Sequence, residues 1–154
     1  MTSRCSHALR CALVASLAAL LPARAFAELG GDLNSVERDR ARMAAAVTVR
    51  SMGRFTVHEM TTDSGTTVRE FASPQGKIFA VSWQGQFHPD YQQLLGSYFS
   101  QLQQAAGQRR ARRAPVVIET AGFVFESFGH FRDLSGRAYV PQMLPAGVGV
   151  EDIQ

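Results

Sequence analysis

The segment around His130 contains the residue types that a nucleophilic hydrolase needs. Ser127, His130 and Asp133 supply a hydroxyl, an imidazole and a carboxylate close together in the sequence. Catalysis by such a set requires the three groups to lie within hydrogen-bond reach. Residues three apart on a strand point to opposite faces, and the chain has no Gly-x-Ser-x-Gly turn. A small hydrolase acting on cell-envelope material is therefore kept as an alternative, beside a structural role for His130 at a tight corner.

A dense run of arginines could bind anions. It consists of Arg109, Arg110, Arg112 and Arg113. Four guanidinium groups can hold anionic lipid headgroups, lipopolysaccharide phosphates or an acidic partner protein. They equally suit a solvated loop in which the positive charges favour the negative end of the preceding helix. Both interpretations stay open, whereas the lack of interleaved aromatic residues disfavours single-stranded nucleic acid.

The histidines of the domain do not predict a metal site. Metal sites usually draw on closely spaced ligands, and these histidines are far apart in the sequence: His58, His88 and His130. We expect His88 to be a helix-entry residue before Pro89, and His58 to lie on the less buried face of a strand. No metal and no cofactor is predicted.

Four acids fall in predicted strands, namely Glu59, Glu70, Glu119 and Glu126. Two of them could form the carboxylate pair of a glycosidase. Cross-strand ion pairs with Arg69, Arg132 or Arg137 are the simpler explanation, and we favour it.

Hydrophobic periodicity indicates the elements that position these groups. Alternation around Val57 and again over residues 67–72 predicts a hairpin, and the apolar run 78–83 predicts a central strand buried on both faces. An apolar stripe predicts a helix from Pro89 to about Ala106 that packs on the sheet. Two or three further strands are predicted after the helix, in residues 116–120, 123–127 and 129–140. The last of these ranges is divided by the turn residues Ser135 and Gly136.

The ends of the domain are predicted to be less regular. Residues 28–32 read as a flexible lead-in, followed by a charged helix from about Ser35 to about Ala46. Residues 140–154 form an irregular tail over the surface. The prediction is an α+β fold: an antiparallel sheet of about five or six strands, one amphipathic helix on one face, a charged N-terminal helix at the edge, and the other face open.

Residues 1–27 have the features of a cleavable secretory signal peptide. Arg4 and Arg10 precede an uncharged apolar run, and Ala25 and Ala27 place small side chains before a cleavage site at Glu28. The apolar run is too short to span a membrane. We predict one globular domain over residues 28–154, periplasmic or secreted and without a transmembrane segment.

Removal of the leader changes the formal charge and the cysteine content of the chain. The chain has 16 basic and 13 acidic residues; Arg4, Arg10 and Arg24 fall in the leader, so 13 basic residues balance the acids. Basicity then gives no reason to expect nucleic-acid binding. Both cysteines, Cys5 and Cys11, lie in the leader, which excludes thiol catalysis, thiolate zinc sites and disulfides in the predicted domain.

Several motifs resemble an exported proteobacterial family, domain of unknown function 2844. They are LGGDLNSVERDR (29–40), VHEM (57–60), VREFASPQGKIFAVSWQG (68–85), LLGSYF (94–99), GHFR (129–132), GRAYVP (136–141) and LPAGV (144–148). The resemblance implies export and a single domain, and supplies no catalytic residue, cofactor or substrate. We therefore expect a non-catalytic periplasmic or secreted binding module with an unknown envelope protein or anionic surface as partner.

Overall fold

A computed structural model describes residues 28–32, 47–62, 64–108 and 115–154. In these residues the chain forms one antiparallel sheet of seven strands. The strands are β1 Thr48–Ser51, β2 Thr56–Thr61, β3 Thr67–Ala72, β4 Ile78–Gly85, β5 Val116–Glu119, β6 Val124–His130 and β7 Asp133–Tyr139. The α+β architecture is confirmed in its coarse form, as mostly sheet with one helical segment. The predicted count of five or six strands is wrong, because β1 is a separate edge strand and both β6 and β7 are complete.

The strand order is β1-β2-β3-β4-β7-β6-β5. Two runs of consecutive antiparallel strands, β1 to β4 and β5 to β7, meet where β4 pairs with β7. This makes β4 the middle strand, and its residues from Ile78 to Trp83 are all buried. The predicted central strand is confirmed, since an apolar run without alternation needs cover on both faces.

The predicted division of residues 129–140 at Ser135 and Gly136 is wrong. Both residues lie inside β7, and the turn is formed by Phe131 and Arg132, the latter with a φ of 69°. Gly136 serves packing instead, because a Cβ there would overlap the Trp83 ring. A glycine can mark a close approach within a strand as well as a turn.

The helical segment begins at Tyr91, two residues after the predicted start at Pro89, and is interrupted where one continuous helix was predicted. Asp90 caps α1, Tyr91–Leu95, by accepting hydrogen bonds from the backbone N–H groups of Gln92 and Gln93. A 3-10 turn, Gly96–Tyr98, separates it from α2, Phe99–Gln108. The interruption follows from the φ of 52° at Gly96, which breaks the helical backbone. Leu94, Leu95 and Leu102 are buried against the sheet, which confirms the predicted packing.

No helix in the described part of the chain combines the length and the apolar character that crossing a bilayer requires. The predicted N-terminal helix, residues 35–46, lies outside the described residues.

Residues 28–32 do not form a flexible lead-in. Leu29 is buried, and its backbone N–H donates to the Leu94 carbonyl at 3.1 Å. The backbone around Gly30 and Gly31 exchanges hydrogen bonds with Ile78, and Asp32 bridges Lys77. Burial of Leu29 in the core under α1 explains why this glycine-rich segment is docked.

Two apolar clusters lie on opposite faces of the sheet. On one face, which we call the helix face, α1 and α2 pack against residues that include Val68, Val81, Trp83, Ile118 and Phe125. On the other face, which we call the C-terminal face, residues 141–154 pack against residues that include Phe55, Phe71, Phe79, Val124 and Tyr139. The expectation of an open second face is therefore wrong.

The C-terminal segment covers that face with an irregular backbone. It contains two 3-10 turns, Pro141–Met143 and Val150–Asp152. Val148 and Ile153 are buried among the phenylalanines of the sheet. Two apolar side chains spaced along an irregular segment are a weak sequence signal, although they are sufficient to dock it.

Candidate binding site

The structure places the three hydrolase candidates in different surroundings. His130 and Asp133 are paired positions at the end of the β6–β7 hairpin, and both are exposed. Ser127 is buried and faces the helical segment, where it contacts Tyr91. The hydroxyl is therefore not presented to the imidazole and the carboxylate as a nucleophile would be.

Tyr91 links Ser127 to a different histidine. The Tyr91 hydroxyl lies 2.6 Å from Nδ1 of His88. Burial raises the pKa of Tyr91 to about 12, although its contacts with Ser127 and Trp83 oppose this rise. A neutral phenol among core aromatic rings has the features of a satisfied core group. His88 precedes α1 as predicted and also anchors Tyr91, which the sequence did not indicate.

Two of the four strand acids form the predicted cross-strand ion pairs. Nε of Arg69 lies 2.6 Å from Oε2 of Glu59, and Nε of Arg137 lies 2.6 Å from Oε2 of Glu126. Both pairs join directly opposed residues of neighbouring strands. The third predicted cation, Arg132, lies in the hairpin turn with its guanidinium over the Phe131 ring.

Glu70, one of the two remaining acids, and His58 lie on a different face from the one predicted for them. They are opposed residues of β3 and β2, and both are buried on the helix face, with exposed fractions of 0% and 4%. The sequence predicted an ion pair for Glu70 and a less buried face for His58. Alternation alone does not reveal which face is covered, so polar residues can be assigned to the wrong side. Burial raises the pKa of Glu70 from 4.5 to about 8.

The two ion pairs belong to one row of polar side chains across the C-terminal face. Register makes Arg69 the partner of Ser82, and Ser82 the partner of Arg137. Residues directly opposed in a ladder lie on the same face. Five neighbouring strands therefore contribute, in order, Glu59, Arg69, Ser82, Arg137 and Glu126. We call this set the charged row.

A pocket of about 300 Å³ opens over the centre of the charged row. Ser82 is 3% exposed, which places it at the floor, between the two arginines. Residues 153–154 of the C-terminal segment contribute to the wall. The lining residues are Arg69, Ser82, Trp83, Gln84, Phe128, Ser135, Gly136, Arg137, Ile153 and Gln154.

The hydrogen bonds of Arg137 fix the wall of the pocket. Its Nη1 donates to the Val150 carbonyl at 2.8 Å and to the Ile153 carbonyl at 3.4 Å. Arg137 thus connects Glu126, the sheet and the C-terminal segment. Hydrogen bonds from a charged donor are stronger than neutral ones, so this contact positions the segment as well as the guanidinium.

Sequence reasoning missed this pocket. A usable signal was present, because Ser82 is a polar residue inside the apolar run IFAVSW and Arg137 lies between the small residues Gly136 and Ala138. Neither signal indicates which strands are neighbours. The pocket depends on the β4–β7 pairing, which joins segments far apart in the chain.

Several predicted site residues lie outside the described part of the chain. These are the arginine run, Arg109, Arg110, Arg112 and Arg113, and the residues Ala25 and Ala27 of the predicted cleavage site. Over the described ranges, no three His, Cys, Asp or Glu side chains are grouped as metal ligands.

Comparison with known proteins identifies a family. A family model described as Protein of unknown function (DUF2844) matches residues 25–153, which is most of the chain. No curated protein and no solved structure matches. The match agrees with the resemblance drawn from the sequence motifs.

Proposed function

The chain belongs to this family of proteins of unknown function, and we propose that it is an exported, non-catalytic binding module that holds its ligand in the pocket over the charged row. The observation that carries the proposal is the position of Ser82 between Arg69 and Arg137 at the floor of an open pocket. Ligand sites are concave and combine apolar walls with a few placed polar groups.

The lining of the pocket has this mixed character. Phe128 presents an exposed apolar ring, whereas the arginines, serines and glutamines offer hydrogen bonds. Each arginine is held by a glutamate before any ligand arrives. A preorganised polar group loses less conformational entropy on binding, which favours affinity.

The two alternatives gain no supporting contact. The hydrolase hypothesis needs Ser127 beside His130, and Ser127 instead contacts Tyr91. Binding to an anionic membrane surface through the arginine run stays a prediction from the sequence. Periplasmic or secreted localisation is part of the proposal and rests on the predicted leader.

A thermal-shift screen tests the proposal. The full chain is incubated with a panel of sugar acids, mono- and dicarboxylates, amino acids and neutral sugars. A ligand that binds only the folded state raises the Tm by an amount that grows with its concentration. We expect at least one compound to raise the Tm and to be recovered chemically unchanged.

A blocking variant locates the effect. Ser135→Trp places a large side chain in the pocket lining, and Ser97→Trp makes the same change at an exposed position of the helical segment. We expect the ligand to stabilise the wild type and Ser97→Trp, but not Ser135→Trp. Equal stabilisation of both variants, or no active compound, contradicts the proposal.

A further inference from the structure

The arginines that line the pocket have more N–H donors than their contacts with the described residues use. A guanidinium group has five N–H donors. Arg69 uses its Nε towards Glu59, and Arg137 uses Nε towards Glu126 and Nη1 towards two carbonyl groups. Both arginines therefore keep N–H donors that these contacts do not use, and both line the same pocket.

Ser82 adds a third donor between the arginines. Among the described residues its Oγ has no hydrogen-bond partner, although Ser82 is almost completely buried. Adjacent strands lie about 4.8 Å apart, so Arg69 and Arg137 flank Ser82 at about that distance on each side. A buried hydroxyl without a partner costs free energy, which a ligand that accepts its hydrogen bond recovers.

The charge of the cluster selects the type of anion. Arg50 also approaches Glu59, with its Nη2 at 3.7 Å from Oε1. Glu119 lies on the same face and acts on Tyr139 together with Glu126 and Arg137, so three guanidinium groups face three carboxylates around the charged row. A carboxylate adds a single negative charge to this balanced set, whereas a phosphate monoester adds close to two at neutral pH, so the site favours the monoanion.

The rest of the ligand is indicated by Phe128. This side chain lines the pocket on the same face and is 39% exposed. An exposed aromatic ring beside paired arginines can pack on a flat, weakly polar body while the arginines hold the charged end.

We propose that the pocket binds the carboxylate of a small organic monoanion between Arg69 and Arg137 above the Ser82 hydroxyl, with the body of the ligand against Phe128. This proposal rests on the proposed binding function and names the ligand class for the same site. Arginine suits the role, since its planar fork matches the two oxygens of a carboxylate.

The test compares three probes of similar shape and different charge: benzoate, phenyl phosphate and benzamide. The ¹⁵N-labelled full chain is titrated with each and followed by NMR. We expect saturable shifts with benzoate at Ser82, Phe128 and Arg137, weaker binding of phenyl phosphate and no saturation with benzamide. Added salt should raise the benzoate Kd.

Three variants connect binding to the named groups. Arg69→Gln should raise the benzoate Kd about tenfold, which is the typical effect of losing a charged hydrogen bond. Ser82→Ala should raise the Kd about threefold without lowering the Tm, because it removes a hydroxyl that has no partner among the described residues. Arg132→Gln changes an exposed arginine outside the pocket lining and should leave the Kd unchanged.

Three results overturn the carboxylate proposal: no saturable shift with benzoate, equal affinity for benzamide, or tighter binding of phenyl phosphate. The proposal is also overturned if the benzoate Kd is unchanged in both single variants, Ser82→Ala and Arg69→Gln. If Arg69→Gln unfolds, the benzoate Kd of Ser82→Ala decides alone. A compound of another class that raises the Tm of the wild type but not of Ser135→Trp would leave the binding function standing and overturn only the carboxylate proposal.

Discussion

Glu70 is a buried acid beside His58 in the core under the helix face. Neither of its carboxylate oxygens has a hydrogen-bond partner among the described residues. Ionisation of a carboxyl in such surroundings is costly, and burial accordingly raises its pKa from 4.5 to about 8. Glu70 is therefore mainly protonated in the folded protein at neutral pH.

This protonation makes stability depend on pH. Between about pH 4.5 and pH 8 the folded chain keeps the Glu70 proton while the unfolded chain releases it. Because the folded state then binds more protons, the free energy of unfolding should fall by up to about 1.4 kcal/mol per pH unit in this window. Glu70→Gln should lose this part of the slope, as measured by urea unfolding from acidic to mildly alkaline pH.

The comparison with wild type isolates Glu70 from the other titrating groups. Glu119→Gln, an amide substitution at an exposed position of β5, serves as the control and should keep the wild-type slope. A Glu70→Gln variant with that same slope would show that Glu70 is ionised in the folded protein at neutral pH.

At the scale of elements, the C-terminal segment acts as the cover of the second face. Ile153 is 1% exposed and packs in the cluster of Phe55, Phe71 and Phe79. The Arg137 guanidinium holds the carbonyl groups of Val150 and Ile153 next to the charged row. The segment therefore couples the apolar core of this face to the wall of the pocket.

Ile153→Ala should lower the free energy of unfolding by about 2 to 4 kcal/mol, the range typical of removing a buried isoleucine side chain. Chemical denaturation measures the change. Glu151→Ala alters an exposed residue of the 3-10 turn that precedes Ile153 and should stay within about 0.5 kcal/mol of wild type. If Ile153→Ala were as stable as Glu151→Ala, the segment would not be docked on the sheet in solution.

At the scale of the whole molecule, the described chain is a sheet with both faces covered and a polar pocket on one of them. Its proposed setting depends on the predicted leader. Removal of residues 1–27 would leave equal numbers of basic and acidic residues. The arginines of the charged row would then belong to a site of balanced charge in a chain without general basicity.

Export predicts a defined mature chain. Intact-mass measurement of the protein recovered outside the cytoplasm should give a chain that begins at Glu28. Ala27→Arg places a large cation in a position that requires a small side chain and should accumulate the chain with Met1 attached. A wild-type protein that keeps Met1 and stays among cytosolic proteins would contradict the export proposal.

The sequence by itself determined the positions of most described elements. Residues 67–72 and the run beginning at Ile78 are strands as predicted, and the helical segment begins just after Pro89. These predictions succeed because alternation, apolar runs and helix caps are local properties of neighbouring residues. Likewise, the ion-pair partners Arg69 and Arg137 were among the predicted cations, since opposite charges on adjacent strands attract.

Only the tertiary structure decided which of these elements meet. The β4–β7 pairing brings Ser82 beside Arg137, and docking of the C-terminal segment closes the face on which they lie. Burial of His58 and Glu70 likewise depends on which face the rest of the chain covers. Strand order and register are long-range properties, and a local pattern gives the period of a strand without naming its neighbours.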